Sequence, residues 1–116
     1  MKYLPLVNIK QGTASLGRFS NGNTLPLVQL PFAMVGFAPQ TKNDGGWFYH
    51  PGDRSLEGVR ITRQPSPWIS DYGAFLLTPQ TGRVYNSSKS AWSSYRPEDA
   101  VLTPDCMKLR FLRSRT

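Results

Sequence analysis

Apolar residues come in short runs along this chain, and nearly every run is closed by proline, glycine, asparagine or aspartate. The most apolar stretch, PLVQLPFAMVGFAPQ from Pro26 to Gln40, predicts one buried strand from about Phe32 to Ala38, ended by Pro39. Leu56 to Thr62 alternates, with Leu56, Gly58, Arg60 and Thr62 set against Glu57, Val59 and Ile61, as in a half-buried strand. Gly73 to Thr78, GAFLLT, shows no alternation and predicts a strand covered on both faces. Near the end, Met107, Leu109 and Phe111 alternate with Lys108, Arg110 and Leu112, a strand with outward cations over Cys106–Leu112 and no partner strand in view.

Between these runs lie turn signals. Asn21-Gly22 marks a tight turn. Asn43-Asp44-Gly45-Gly46 predicts a hairpin turn feeding a strand over Trp47–His50, and Pro51-Gly52-Asp53 and Thr81-Gly82 turn the chain again. Leu4 to Ile9 reads as an extended arm and Arg83-Val84-Tyr85 as a short edge. Pro97 with Glu98 and Asp99 suits one helical turn. Strands at this spacing predict an all-β fold, an antiparallel β-sandwich.

At 116 residues the chain is one domain, residues 1–116. No apolar run approaches the roughly 18 residues of a membrane helix. The N-terminal MKYLPLVNIKQG is broken by Pro5 and Asn8 and lacks a secretory pattern, so a cytoplasmic location is expected. Cys106 stands alone, which excludes an internal disulfide and suits a reducing compartment. With one cysteine and one histidine, His50, a closed metal site of about four such ligands is excluded. The net charge of +7 is shared between residues 1–43, which hold Lys2, Lys10, Arg18 and Lys42 and no acid, and the basic end KLRFLRSRT, but no nucleic-acid-binding motif accompanies it. Neither nucleic acid nor a membrane is an expected partner.

Seven carboxylates are present, and most have a local use: Asp44 and Asp53 in turns, Glu98 and Asp99 at a helix start, Asp105 after Thr103-Pro104. No pair is spaced to straddle a reacting bond, and no nucleophile elbow, phosphate-binding loop or zinc helix motif occurs. What stands out is QPSPWISDYG, Gln64 to Gly73. Pro65 and Pro67 stiffen the backbone ahead of Trp68, and Asp71 follows three residues later. An aromatic face for the apolar side of a pyranose and a carboxylate for a pair of hydroxyls make a sugar-binding kit. Asn21 to Thr24 and Gly45-Gly46-Trp47 add small polar and aromatic residues on loops, while packing roles are expected for Trp47, Trp92 and His50.

The series GNTLPLVQLPFAMVGFAPQT, GWFYHPGDRSLEGVRIT and QPSPWISDYGAFLLTPQTG resembles the N-terminal domain of glycoside hydrolase family 92 α-mannosidases over most of residues 7–82. The Leu-Pro-Phe-Ala-Met-Val and Ser-Pro-Trp-x-x-Asp-Tyr-Gly pieces are the specific ones. Where many family members carry a His-containing segment with Ser-Gly, this chain has Thr62-Arg63-Gln64-Pro65-Ser66-Pro67. The resemblance implies an N-terminal β-sandwich joined to a C-terminal (α/α)6 catalytic domain. It also implies inverting, calcium-dependent hydrolysis of mannose-containing glycans in a pocket between the two. Acid, base and calcium ligands would then lie in the C-terminal part, absent here. Trp68, Asp71, Ser66 and Gln64 would face mannose, with Asn23 and Thr24 as a supporting loop.

The expectation is thus a truncated N-terminal domain, catalytically silent alone. A free-standing carbohydrate-binding module using Trp68 and Asp71 is the rival, and a basic nucleic-acid-binding β-domain the third reading.

Overall fold

The computed structural model of the chain describes residues 2–32, 34–41, 48–64 and 75–112. Its regular elements are β1 (Gly36–Gln40), β2 (Ser55–Leu56), β3 (Gly58–Thr62), β4 (Phe75–Leu77), a helical turn α1 (Ser88–Ala91), β5 (Ser93–Ser94), β6 (Val101–Thr103) and β7 (Cys106–Lys108). All strand pairing is antiparallel. The architecture is therefore all-β and antiparallel, as the run-and-turn pattern predicts. Among the described residues no helix is long and apolar enough to cross a membrane.

The central sheet has the order β1-β3-β4. β1 meets β3 over five residues, from Gly36↔Thr62 to Gln40↔Gly58, and β3 meets β4 from Ile61↔Phe75 to Val59↔Leu77. A bridge between Val28 and Phe37 lays the preceding segment along β1. β2 pairs with β5, and β6 with β7.

Two apolar clusters hold these pieces together. Leu25, Ala38 and Tyr49 form one, with Leu27, Phe48 and Leu102 packed against it. Leu56, Tyr95 and Phe111 form the other, flanked by Ala100 and Leu109. Burial pushes the Tyr49 hydroxyl up to about 12, with a smaller push from the Asp53 charge. Tyr95 is raised further, again mainly by burial.

Several sequence expectations shift. The strand predicted from Phe32 begins only at Gly36, and Phe32 is 83% exposed. Gln29 and Leu30 both donate their amides to the Pro104 carbonyl, at 2.9 Å each, so this segment is tied to the β6–β7 turn instead of extending β1. The strand then runs through Pro39 to Gln40. Residues 48–50 form no strand, although the Thr41 amide donates to the Phe48 carbonyl at 2.8 Å. Leu4–Leu6 is a 3-10 turn, as is Pro97–Asp99.

The C-terminal strand is not unpaired. Thr103 to Cys106 closes a hairpin, with the Thr103 hydroxyl donating to Asp105 Oδ1 at 2.8 Å. The predicted alternation holds beyond it: Met107 and Leu109 are half-buried and Phe111 buried, while Lys108, Arg110 and Leu112 are exposed.

β4 departs most. Its residues face outward on both sides of the strand, with Phe75 68% and Leu77 53% exposed, and none of the described residues covers them. Leu56→Ala, in the fully buried cluster, is expected to cost about 2–5 kcal/mol in urea denaturation. Leu77→Ala is expected to stay within about 0.5 kcal/mol of the parent chain; an equal loss at both positions would contradict an uncovered β4.

Candidate functional site

Antiparallel pairing gives the central sheet two ends with different contents. At the first end, Gly36, Thr62 and Phe75 are neighbours, so the segment entering β1 and the connection from β3 to β4 open side by side. Thr62 is buried and starts that connection: its hydroxyl accepts the Gln64 amide at 3.0 Å, folding the chain back as it leaves β3. In the segment entering β1 the Leu30–Pro31 peptide is cis, and Phe32 and Met34 project at 83% and 86% exposure. Val28, Leu30, Phe32 and Phe37 line a recess of about 280 Å³ there, with Asp105 at its edge.

At the second end, Gln40 and Glu57 are both buried, and the Gln40 amide donates to Glu57 Oε2 at 2.7 Å. Arg60 Nη1 donates to Gln40 Oε1 at 2.8 Å, and its guanidinium lies 3.6 Å from the Phe48 ring centroid. The Gln40 amide thus couples a buried carboxylate to a guanidinium that the ring also stabilises. Next to this network the Thr41 hydroxyl donates to Asp53 at 2.6 Å and accepts the His50 amide at 3.0 Å. His50 Nδ1 accepts the Gly52 amide, so the histidine serves its own turn.

Asn23 and Thr24 belong to a double loop, residues 10–15 against 21–24. The Ser15 hydroxyl accepts the amides of Asn21 and Asn23, and Asn21 Nδ2 donates to the carbonyls of Thr13 and Ala14. Thr24 is held on Gly12 and Gln11. Gly12, at φ +81°, sits so close to Thr24 that a Cβ would strike the hydroxyl. Asn23 is itself left-handed at φ +56° and only 3% exposed, and neither polar atom of its side chain has a hydrogen-bond partner among the described residues. It lies in a small cleft with Phe48 and Tyr49, near the second end.

Residues 6–113 match the glycosyl hydrolase family 92 N-terminal domain. The chain belongs to this family. It is also similar in structure to a family 92 inverting mannosidase from Bacteroides thetaiotaomicron, with a TM-score of 0.83 and 37% identity. That similarity covers 97% of this chain but 15% of the mannosidase chain. A comparison with curated proteins gave no match.

In this family 92 domain, Gln64 stands at the first end, and Ser66, Trp68 and Asp71 lie outside the described residues, as does Trp47. Asn23 and Thr24 stand toward the other end of β1, roughly 13 Å along the strand at about 3.3 Å per residue. The described part therefore does not bring Gln64 together with them. Most described carboxylates are engaged locally: Glu57 by Gln40, Asp53 by Thr41, Asp105 by Thr103, and Glu98 by Arg54 at 2.8 Å. The Glu98 carboxyl is held below its ordinary range by its own backbone amide first and then by Arg54. Among the described residues no three His, Cys, Asp or Glu side chains gather to hold a metal ion.

The Gln40–Glu57–Arg60 network has a weak sequence signal, an acid and an arginine inside an otherwise apolar strand pattern. Replacing Gln40 by Leu is expected to cost about 1–3 kcal/mol by thermal or urea unfolding, because Glu57 loses its buried partner. Adding Glu57→Leu should recover part of that loss. A neutral Gln40→Leu would show that the amide does not mediate the pairing.

Proposed function

We propose that this domain is the N-terminal part of an inverting α-mannosidase and forms one wall of a sugar pocket that a companion catalytic domain completes. The observation that carries the reading is family membership over residues 6–113, together with the similarity to an inverting mannosidase of far greater length. In this reading the β3–β4 connection is the sugar-facing arm. Trp68 offers its ring to the apolar face of mannose, Asp71 accepts from a pair of hydroxyls, and Ser66 and Gln64 flank them. The Thr62 clamp on Gln64 supports this by setting the direction in which the arm leaves the sheet. Asn23 and Thr24 act as a supporting loop, a role that suits the burial of Asn23.

Inversion needs an acid and a base roughly 6.5–9.5 Å apart, with a water between them. The companion domain supplies both in this reading, and it supplies the ligands of a calcium ion. The exposed faces of β4, together with Phe32 and Met34 at the same end, offer apolar surface for that larger assembly.

Titration of the chain with mannose tests the half-pocket directly. Little or no saturable binding is expected. Saturable binding that disappears in Trp68→Ala would instead assign a self-sufficient carbohydrate-binding module.

A further inference from the structure

The two faces of the central sheet are unlike. One carries the row Ala38, Arg60 and Leu76. There Ala38 packs in the cluster of Leu25 and Tyr49, and Arg60 lies on the Phe48 ring. The other face carries two rows, Phe37–Ile61–Phe75 and Pro39–Val59–Leu77, because residues directly opposite across paired strands share a face. Six apolar side chains thus lie side by side across all three strands. Pro39 is buried, Val59 and Ile61 are half-buried, Phe37 is 38% exposed, and Phe75 and Leu77 are more than half exposed. A recess of about 460 Å³ lined by Val59, Leu77, Thr78 and Pro79 continues this face past the end of β4. The Thr78 hydroxyl is spent on the Glu57 carbonyl at 2.8 Å, so the recess offers mainly carbon.

A sheet with one face on a core ordinarily turns a polar face to water. Here the face opposite Ala38 is apolar, the pattern of a sheet that lies between two layers. Size and charge decide between the possible occupants. With ~200 Å² for a whole large side chain, the exposed fractions amount to roughly 400 Å². That is about half of the ~800 Å² that each side of a free-standing interface buries. A second copy would also bring together two chains of net charge +7. A layer tethered in the same polypeptide needs less area, because its association is intramolecular. The similar mannosidase has polypeptide to spare for one, since this chain matches 15% of it. We propose that the Phe37–Ile61–Phe75 and Val59–Leu77 face is covered by a further layer of a family 92 polypeptide, supplied from outside the part that this chain matches. The identity of that layer rests on the mannosidase reading.

The test compares thiol labelling in two settings: the 116-residue chain, and the Bacteroides thetaiotaomicron mannosidase with this chain in place of the segment it matches. Phe75→Cys and Leu77→Cys report on the face, and mass spectrometry of peptides separates them from Cys106. Each rate is divided by that of the same protein unfolded in urea. Both positions should label freely in the chain alone and slow by about tenfold or more in the chimera, where labelling awaits local opening. Equal rates in the two settings overturn the proposal, as does a chimera that fails to unfold cooperatively. Slow labelling in the dilute chain alone overturns it too, since the chain then covers its own face. Protection that sets in only on concentrating the chain assigns the face to a second copy instead. Turnover of an aryl α-mannoside by the chimera is read separately. A protected but inactive chimera contradicts the mannosidase reading and leaves the covered face standing, whereas an active chimera with freely labelled Leu77→Cys contradicts the covered face alone.

Discussion

The five-residue pairing of β1 with β3 is the constraint on which the rest of the domain depends. Its register sets Gly36 opposite Thr62, so two unlike loops open at one end of the sheet, and Gln40 opposite Gly58, so a buried polar network forms at the other. A slip of one residue would turn Ala38 out of its cluster and Phe37 into it. The Gln40 amide opposes such a slip, because only this register lets it meet both Glu57 and Arg60. An unpaired Glu57 in that position would be costly, so the network selects the pairing as much as it stabilises it.

Much of this was legible in the sequence where local chemistry decides the outcome. The Pro97 turn and the alternation from Met107 to Leu112 follow from period and turn residues, whereas the single alternating strand expected over Leu56–Thr62 is divided at buried Glu57 into β2 and β3, and its burial does not alternate. The strand start was not legible, because LPFAMV is apolar enough for a strand, yet Gln29 and Leu30 are captured by the Pro104 carbonyl across the fold. The partner of the terminal strand is not legible either: Val101–Thr103 is too short to show a period, and the Thr103–Asp105 side-chain bond closes the turn of its hairpin. Apolar composition predicted a covered β4, but composition cannot tell whether the covering atoms belong to the same stretch of chain.

For the site, the sequence points to the Gln64–Gly73 stretch, with Asn23 and Thr24 as a supporting loop. Gln64 stands where the arm leaves the sheet, whereas Asn23 and Thr24 turn out to be loop-building residues near the other end of β1. The Gln40–Glu57–Arg60 network leaves little trace in the sequence because its members become neighbours only through the β1–β3 register. The described carboxylates are mostly occupied by hydrogen bonds within the fold, and the proposed reading assigns the proton transfers to a companion domain.

Hydrolysis of an aryl α-mannoside by the purified 116-residue chain tests this account most directly. The account predicts no turnover above the uncatalysed rate, with or without added calcium. Sustained turnover that co-purifies with the chain would contradict it, since an acid and a base would then have to reside within these residues.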